Sequence, residues 1–173
     1  MKFSKIALSA LSFAVLGFLA MGLVSIPAAA ATTTVSTTFN VTATVNASCG
    51  ITAAPLGFGT YTGAAVQASS NLTITCDTAV PTINVGLNTG NNGTYTAGTT
   101  YTRKMANGAA MLNYGLYQNA GDTTQWGTTT GTDTLVTAYT TTAVTVPVNG
   151  LIPAGQVVTT GSYSDTITAY IYF

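Results

Sequence analysis

The sequence predicts an all-β fold, an antiparallel β-sandwich, and three observations carry that expectation. Short stretches alternate apolar and polar side chains with the period of a strand, as in "NLTITC" at residues 71–76. Glycine, proline and asparagine cluster between these stretches at the spacing of turns. No segment keeps a helical period over ten residues. A composition rich in Thr, Val, Ala, Gly and Tyr, with 5% charged residues, suits pleated strands better than helix or disorder.

Residues 1–31 read as a cleaved signal peptide and stand apart from the fold. Lys2 and Lys5 precede an apolar run over residues 6–24, and "SIPAAAA" offers small residues for cleavage after Ala30 or Ala31. An uncleaved anchor is the competing reading, because the run nearly reaches membrane-spanning length. The good Ala-x-Ala site and the missing basic stop-transfer flank decide against it. The product is expected to be exported and to meet a membrane only through this cleaved segment.

The next stretch, "TTFNVTATVNASCG" at residues 37–50, alternates strictly. Phe39, Val41, Ala43 and Val45 share one face with the preceding Val35, while Asn40, Thr42 and Thr44 share the other. That is a half-buried strand by pattern. It lies ahead of the first cysteine, where chain ends are usually frayed, so the partner it pairs with becomes the question.

The remaining elements follow in order. "CGITAAPLGFGTYTG" carries Pro55, Gly57, Gly59 and Gly63, which break any long regular element. Leu72, Ile74 and Cys76 alternate in a strand, and Ile83, Val85 and Leu87 form another, closed by the turn-rich "NTGNNG". Asn107-Gly108 reads as a tight turn leading to an alternating face of Leu112, Tyr114 and Leu116. "NAGDTTQWGTTTGTD" reads as a loop carrying the single tryptophan, Trp126. Val144, Val146 and Val148 mark a strand whose Pro147 suggests an edge or a bulge. Tyr163, Asp165, Ile167, Ala169, Ile171 and Phe173 alternate through the last stretch, which ends still in strand phase.

Charge excludes several functions. Without the signal peptide, Arg103 and Lys104 face Asp77, Asp122, Asp133 and Asp165, two cations against four anions, a net of −2. Such a chain has no basic footprint for nucleic acid. Low charge also offers little electrostatic resistance to association, which suits a subunit meant to polymerise.

Chemistry finds little to work with. Histidine and glutamate are absent, and the four aspartates lie in different segments among turn-type residues. Nothing selects a general acid, a nucleophile with its base, or a metal cluster. No catalytic residue, metal site or cofactor is expected. Asp165 is expected to bind backbone or Arg103, and Trp126 to cover one end of the core. Cys49 and Cys76, the two cysteines of an exported chain, are expected to form one disulfide, the one pairing open to them.

The order of motifs resembles the spore coat protein U family, whose members include the major subunits of archaic chaperone–usher pili of the Csu type. The matching pieces are the alternating stretch leading to Cys49, "LGFGTY", "NLTITCD", "RKMANG" with "LNYGLYQ", "WGTTTG", "GLIPAGQ" and "GSYSDTITAYIYF". The resemblance implies an immunoglobulin-like sandwich lacking its last strand over residues 46–173, with residues 32–45 as a donor strand extension. A periplasmic chaperone would lend a strand to each subunit, and an outer-membrane usher would exchange it for the extension of the next. Val35, Phe39, Val41, Ala43 and Val45 match the donor positions, and Cys49 and Cys76 the family's disulfide. Ala43 departs from the pattern, being small where a larger side chain would fill a pocket better.

These expectations converge on self-polymerisation. A sandwich without its edge strand leaves backbone unpaired and an apolar groove open, and the N-terminal strand of one copy would complete the next. Ile167, Ala169, Ile171 and Phe173 would line that groove and face the chaperone. The function expected is a structural subunit of a surface pilus, supporting adhesion or biofilm formation, in transit through the periplasm to the cell exterior. Two alternatives remain: a secreted coat or matrix protein of the same fold assembled without an usher, and a monomeric module binding sugars or surfaces.

Overall fold

A computed structural model describes residues 32–96 and 100–173; the expected signal peptide lies outside them. The chain divides into two units, one ending at Thr42 and the other Ala43–Phe173. The second contains every named strand: β1 (Cys49–Ala53), β2 (Val66–Cys76), β3 (Val80–Leu87), β4 (Thr94–Thr96), β5 (Thr100–Asn107), β6 (Ala110–Tyr117), β7 (Leu135–Tyr139), β8 (Val144–Ile152) and β9 (Ala169–Tyr172). No helix occurs among the described residues. The fold is all-β, as the alternation implied.

Two sheets share the strands. One has six, in the order β1-β2-β8-β6-β5-β4; the other has three, β7-β3-β9. Every pairing is antiparallel. Period-two alternation then sorts the side chains. Leu72 and Ile74 of β2, Val146, Val148 and Ile152 of β8, and Leu112, Tyr114 and Leu116 of β6 are buried on one side of the core. Ile83, Val85 and Leu87 of β3 and Tyr139 of β7 are buried opposite them, in the same cluster. Each fully buried aliphatic side chain contributes roughly 1.5–3 kcal/mol before ordering costs.

Local chemistry explains the connections. The β5–β6 hairpin turns at Gly108, whose φ of 60° fits the first central position of a tight hairpin turn. Trp126 is fully buried from its loop, and its Nε1 donates to the Val85 carbonyl at 2.7 Å, so the tryptophan seals the core. Pro147 lies opposite Asn71 of β2, on a stretch of β8 that β6 does not flank, since β6 pairs with β8 at Asn149, Gly150 and Leu151. The missing amide hydrogen therefore interrupts no second ladder, and no bulge is needed.

Two stretches differ from the sequence expectation. Residues 35–45 belong to no strand. A strand needs a neighbour to take its backbone groups, and this chain pairs none with them among the described residues. The last stretch is a strand over Ala169–Tyr172 alone. Further back, Ser164 bridges to Ala106 of β5, in the opposite sheet. The segment crosses between sheets while its side chains keep alternating, which is why the pattern reads as unbroken.

Candidate functional site

A cleft of about 460 Å³ opens between the two sheets. Its floor is one side of the core: Leu72, Val148, Leu116 and Leu87, each itself buried, with Met105 and Tyr114 beside them. One wall is the end of β1 and the loop after it, Ala53 to Leu56 and Phe58; the other is the crossing segment, including Tyr163, Asp165, Ile167 and Ala169. The lining is dominantly apolar, with one charged group, Asp165. Buried core side chains of both sheets thus form the bottom of the opening.

Asp165 is held on three sides. Its Oδ1 accepts hydrogen bonds from the main-chain N–H of Asn91 (2.9 Å) and of Thr166 (2.8 Å), and its Oδ2 accepts the Tyr114 hydroxyl at 2.7 Å. The carboxylate also packs against Gly90, where φ is +78° and a Cβ would collide with it. Asp165 thus binds backbone and a phenol and ties the crossing segment to β6 and to the loop after β3. Burial, then the bond to Asp165, pushes the Tyr114 hydroxyl well above the usual phenol range.

Arg103 lies behind this wall and is fully buried. Its Nε donates to the Asn88 carbonyl at 2.9 Å, and its Nη2 to those of Leu87 (3.0 Å) and Trp126 (2.6 Å). The guanidinium carbon stands 5.2 Å from the centroid of the Tyr101 ring. Burial pushes the group down to about 10, opposed by Tyr114, Tyr101, Asp165 and Asp133. A buried cation spanning three carbonyls is a structural tie between β3, β5 and the tryptophan loop.

The expected site residues are placed as follows. Cys49 and Cys76 are bonded, with Cα atoms 4.1 Å apart, as the first pair of the β1–β2 ladder. Just outside them, the Ser48 N–H donates to Asp77 Oδ1 at 2.7 Å and the Asp77 N–H to the Ser48 carbonyl at 3.0 Å. Val35, Phe39, Val41 and Val45 are 91%, 82%, 83% and 78% exposed, and Ala43 is exposed as well. Ile167 and Ala169 line the cleft. Ile171 is half-buried against the core and Phe173 is 57% exposed, and neither lines it.

Sequence reasoning missed the loop wall. Leu56 and Phe58 sit in a Gly- and Pro-rich stretch read as a breaker, and the signal available was an aromatic between two glycines in "LGFGTY". Among the described residues, no group of three or more His, Cys, Asp or Glu side chains is arranged to hold a metal.

The family model described as Spore Coat Protein U domain matches residues 35–170. "Protein U" of Myxococcus xanthus is 35% identical over 167 residues, spanning 85% of this chain and 88% of that protein. Among solved structures, the chaperone–tip adhesion subunit pre-assembly complex from archaic chaperone–usher Csu pili of Acinetobacter baumannii is similar in fold. Its TM-score is 0.51 at 24% identity, over 75% of this chain and 40% of that one.

Proposed function

The chain belongs to the Spore Coat Protein U domain family, and from that membership and its cleft we propose that it is a structural subunit of a surface pilus. Each subunit is assembled by donor strand exchange: the N-terminal segment of one copy fills the cleft of the next. A periplasmic chaperone occupies the cleft beforehand, an outer-membrane usher makes the exchange, and the filament serves adhesion or biofilm formation at the cell surface. Residues 1–31 direct export.

One observation carries this reading, the presence of two complementary incomplete features in one chain. The cleft is lined by apolar side chains of β2, β6 and β8 beside β9, an edge strand. Residues 35–45 carry an alternating apolar face that is exposed throughout. Neither is stable in water for its own sake. Burial of Val35, Phe39, Val41 and Val45 would contribute roughly 1.5–3 kcal/mol each, offset by the cost of ordering and association. The segment carries no charge, so it brings none into the cleft.

The experiment is an unheated, non-reducing gel of the mature protein taken from cell surfaces. A ladder spaced by one subunit is expected, and deletion of residues 32–45 leaves oxidised monomer alone. A ladder that survives the deletion would refute donor strand exchange. The family description favours a second reading, a secreted coat protein polymerising without an usher. It predicts the same ladder in cells that lack an usher and its chaperone.

A further inference from the structure

Phe58 sits on no strand. It extends from the loop between β1 and β2, flanked by Gly57 and by Gly59, whose φ is +73°. Its ring crosses to β6, where its centroid lies 5.9 Å from that of Tyr114 in an edge-on arrangement. It also presses on β8: a Cβ at Gly150 would lie 2.8 Å from the Phe58 ring and 3.2 Å from Leu56. An aromatic wedge thus stands in the cleft against Tyr114, whose hydroxyl bonds Asp165, two residues before Ile167 on the opposite wall.

Strand direction says which incoming residue meets that wedge. Every strand pairing among the described residues is antiparallel, the arrangement slightly more stable per residue. A strand added along the edge of β9 under the same rule runs against it. Its C-terminal end then lies beside Ile167 and Ala169, and its N-terminal end beside Ile171. In residues 35–45 the C-terminal end carries Ala43, the small member of the inward-phase set Val35, Phe39, Val41, Ala43 and Val45.

We propose that Phe58 fills, from within the subunit, the space that a larger side chain at position 43 would claim from its neighbour. The pairing of Ala43 with Phe58 fixes the register of a second copy of this chain and rejects strands that are bulky at this point. A slip of two residues would drive Val41 or Val45 against the ring, and an overfilled apolar site is destabilising in the same way as an overpacked core. The inference rests on the donor strand reading and specifies it.

A size swap tests it in the full exported chain, because every junction of a homopolymer then carries both changes. Ala43→Phe is expected to reduce the ladder at least tenfold. Phe58→Ala is expected to keep a ladder that dissociates at lower temperature. The double variant is expected to recover most of the wild-type ladder. Electrophoretic mobility of the oxidised monomer monitors folding, and Phe58→Leu takes the place of Phe58→Ala if that variant yields none. Wild-type assembly by Ala43→Phe would overturn the proposal. So would a double variant that stays unassembled although the Phe58 change alone assembles. The broader reading fails differently, through a ladder that persists without residues 32–45; loss of that ladder together with a failed swap rejects the Ala43–Phe58 register alone.

Discussion

Arg103 and Tyr114 are where single atoms matter most to the cleft. Replacing Arg103 by Met would keep the bulk but leave the carbonyls of Leu87, Asn88 and Trp126 without their donor. An unsatisfied buried group costs about 1–3 kcal/mol, so a loss of roughly 3–5 kcal/mol is expected, measured as a lower urea midpoint of the oxidised chain. Tyr114 gives a pH dependence. Its hydroxyl is held above the ordinary phenol value of 10.0, and that of Tyr117 moves the same way, in both cases chiefly by burial. Their contribution is fully present below pH 10.0 and is lost as pH rises further, because the unfolded chain releases the protons first. Arg103 acts oppositely: the cost of burying its charge persists below about 10 and eases as pH rises towards 12.5. Urea midpoints from pH 8 to 11 should therefore fall more steeply with pH in the wild type than in Tyr114→Phe. Identical slopes would show that the phenol is not protected.

Among the strands, those buried on a single alternating face were legible in the sequence. Leu72 and Ile74 in β2, Ile83 and Val85 in β3, Leu112 and Leu116 in β6, and Val146 and Val148 in β8 each announce a core face by period two. β1 and β7 were not legible, because "CGITA" and "LVTAY" are five residues long and lie next to Gly- and Thr-rich runs. The two elements flanking the cleft were half legible. The terminal stretch announced which side chains point inward, yet nothing in its alternation tells that Ser164 pairs with β5 while Ile171 pairs with β3. Phe58 was hidden for a related reason, since its place comes from a loop crossing two strands. Deleting residues 170–173 removes three of the four β3–β9 pairs, leaving Leu87 opposite Ala169. The truncated chain is expected to vanish from the periplasm by immunoblot even with a chaperone supplied. Wild-type levels would mean that β3 needs no β9 beside it.

At the scale of the whole molecule, the proposed function makes the exposed N-terminal segment of one chain the missing strand beside the cleft of the next. The chain's low charge removes the repulsion that would oppose stacking such copies end to end. Strand phase gives the sharpest test, because neighbouring residues face opposite ways. Val41→Asp would place a carboxylate in the apolar cleft, at a cost of several kcal/mol or a forced protonation, whereas Thr42→Asp would leave its charge in water. The deciding measurement is electron microscopy of cells producing each variant, with the oxidised subunit quantified alongside. Filaments absent in Val41→Asp and present in Thr42→Asp, with oxidised subunit in both, is the result expected. Filaments in both variants, or loss of the subunit itself in Val41→Asp, would contradict a donor strand acting between copies.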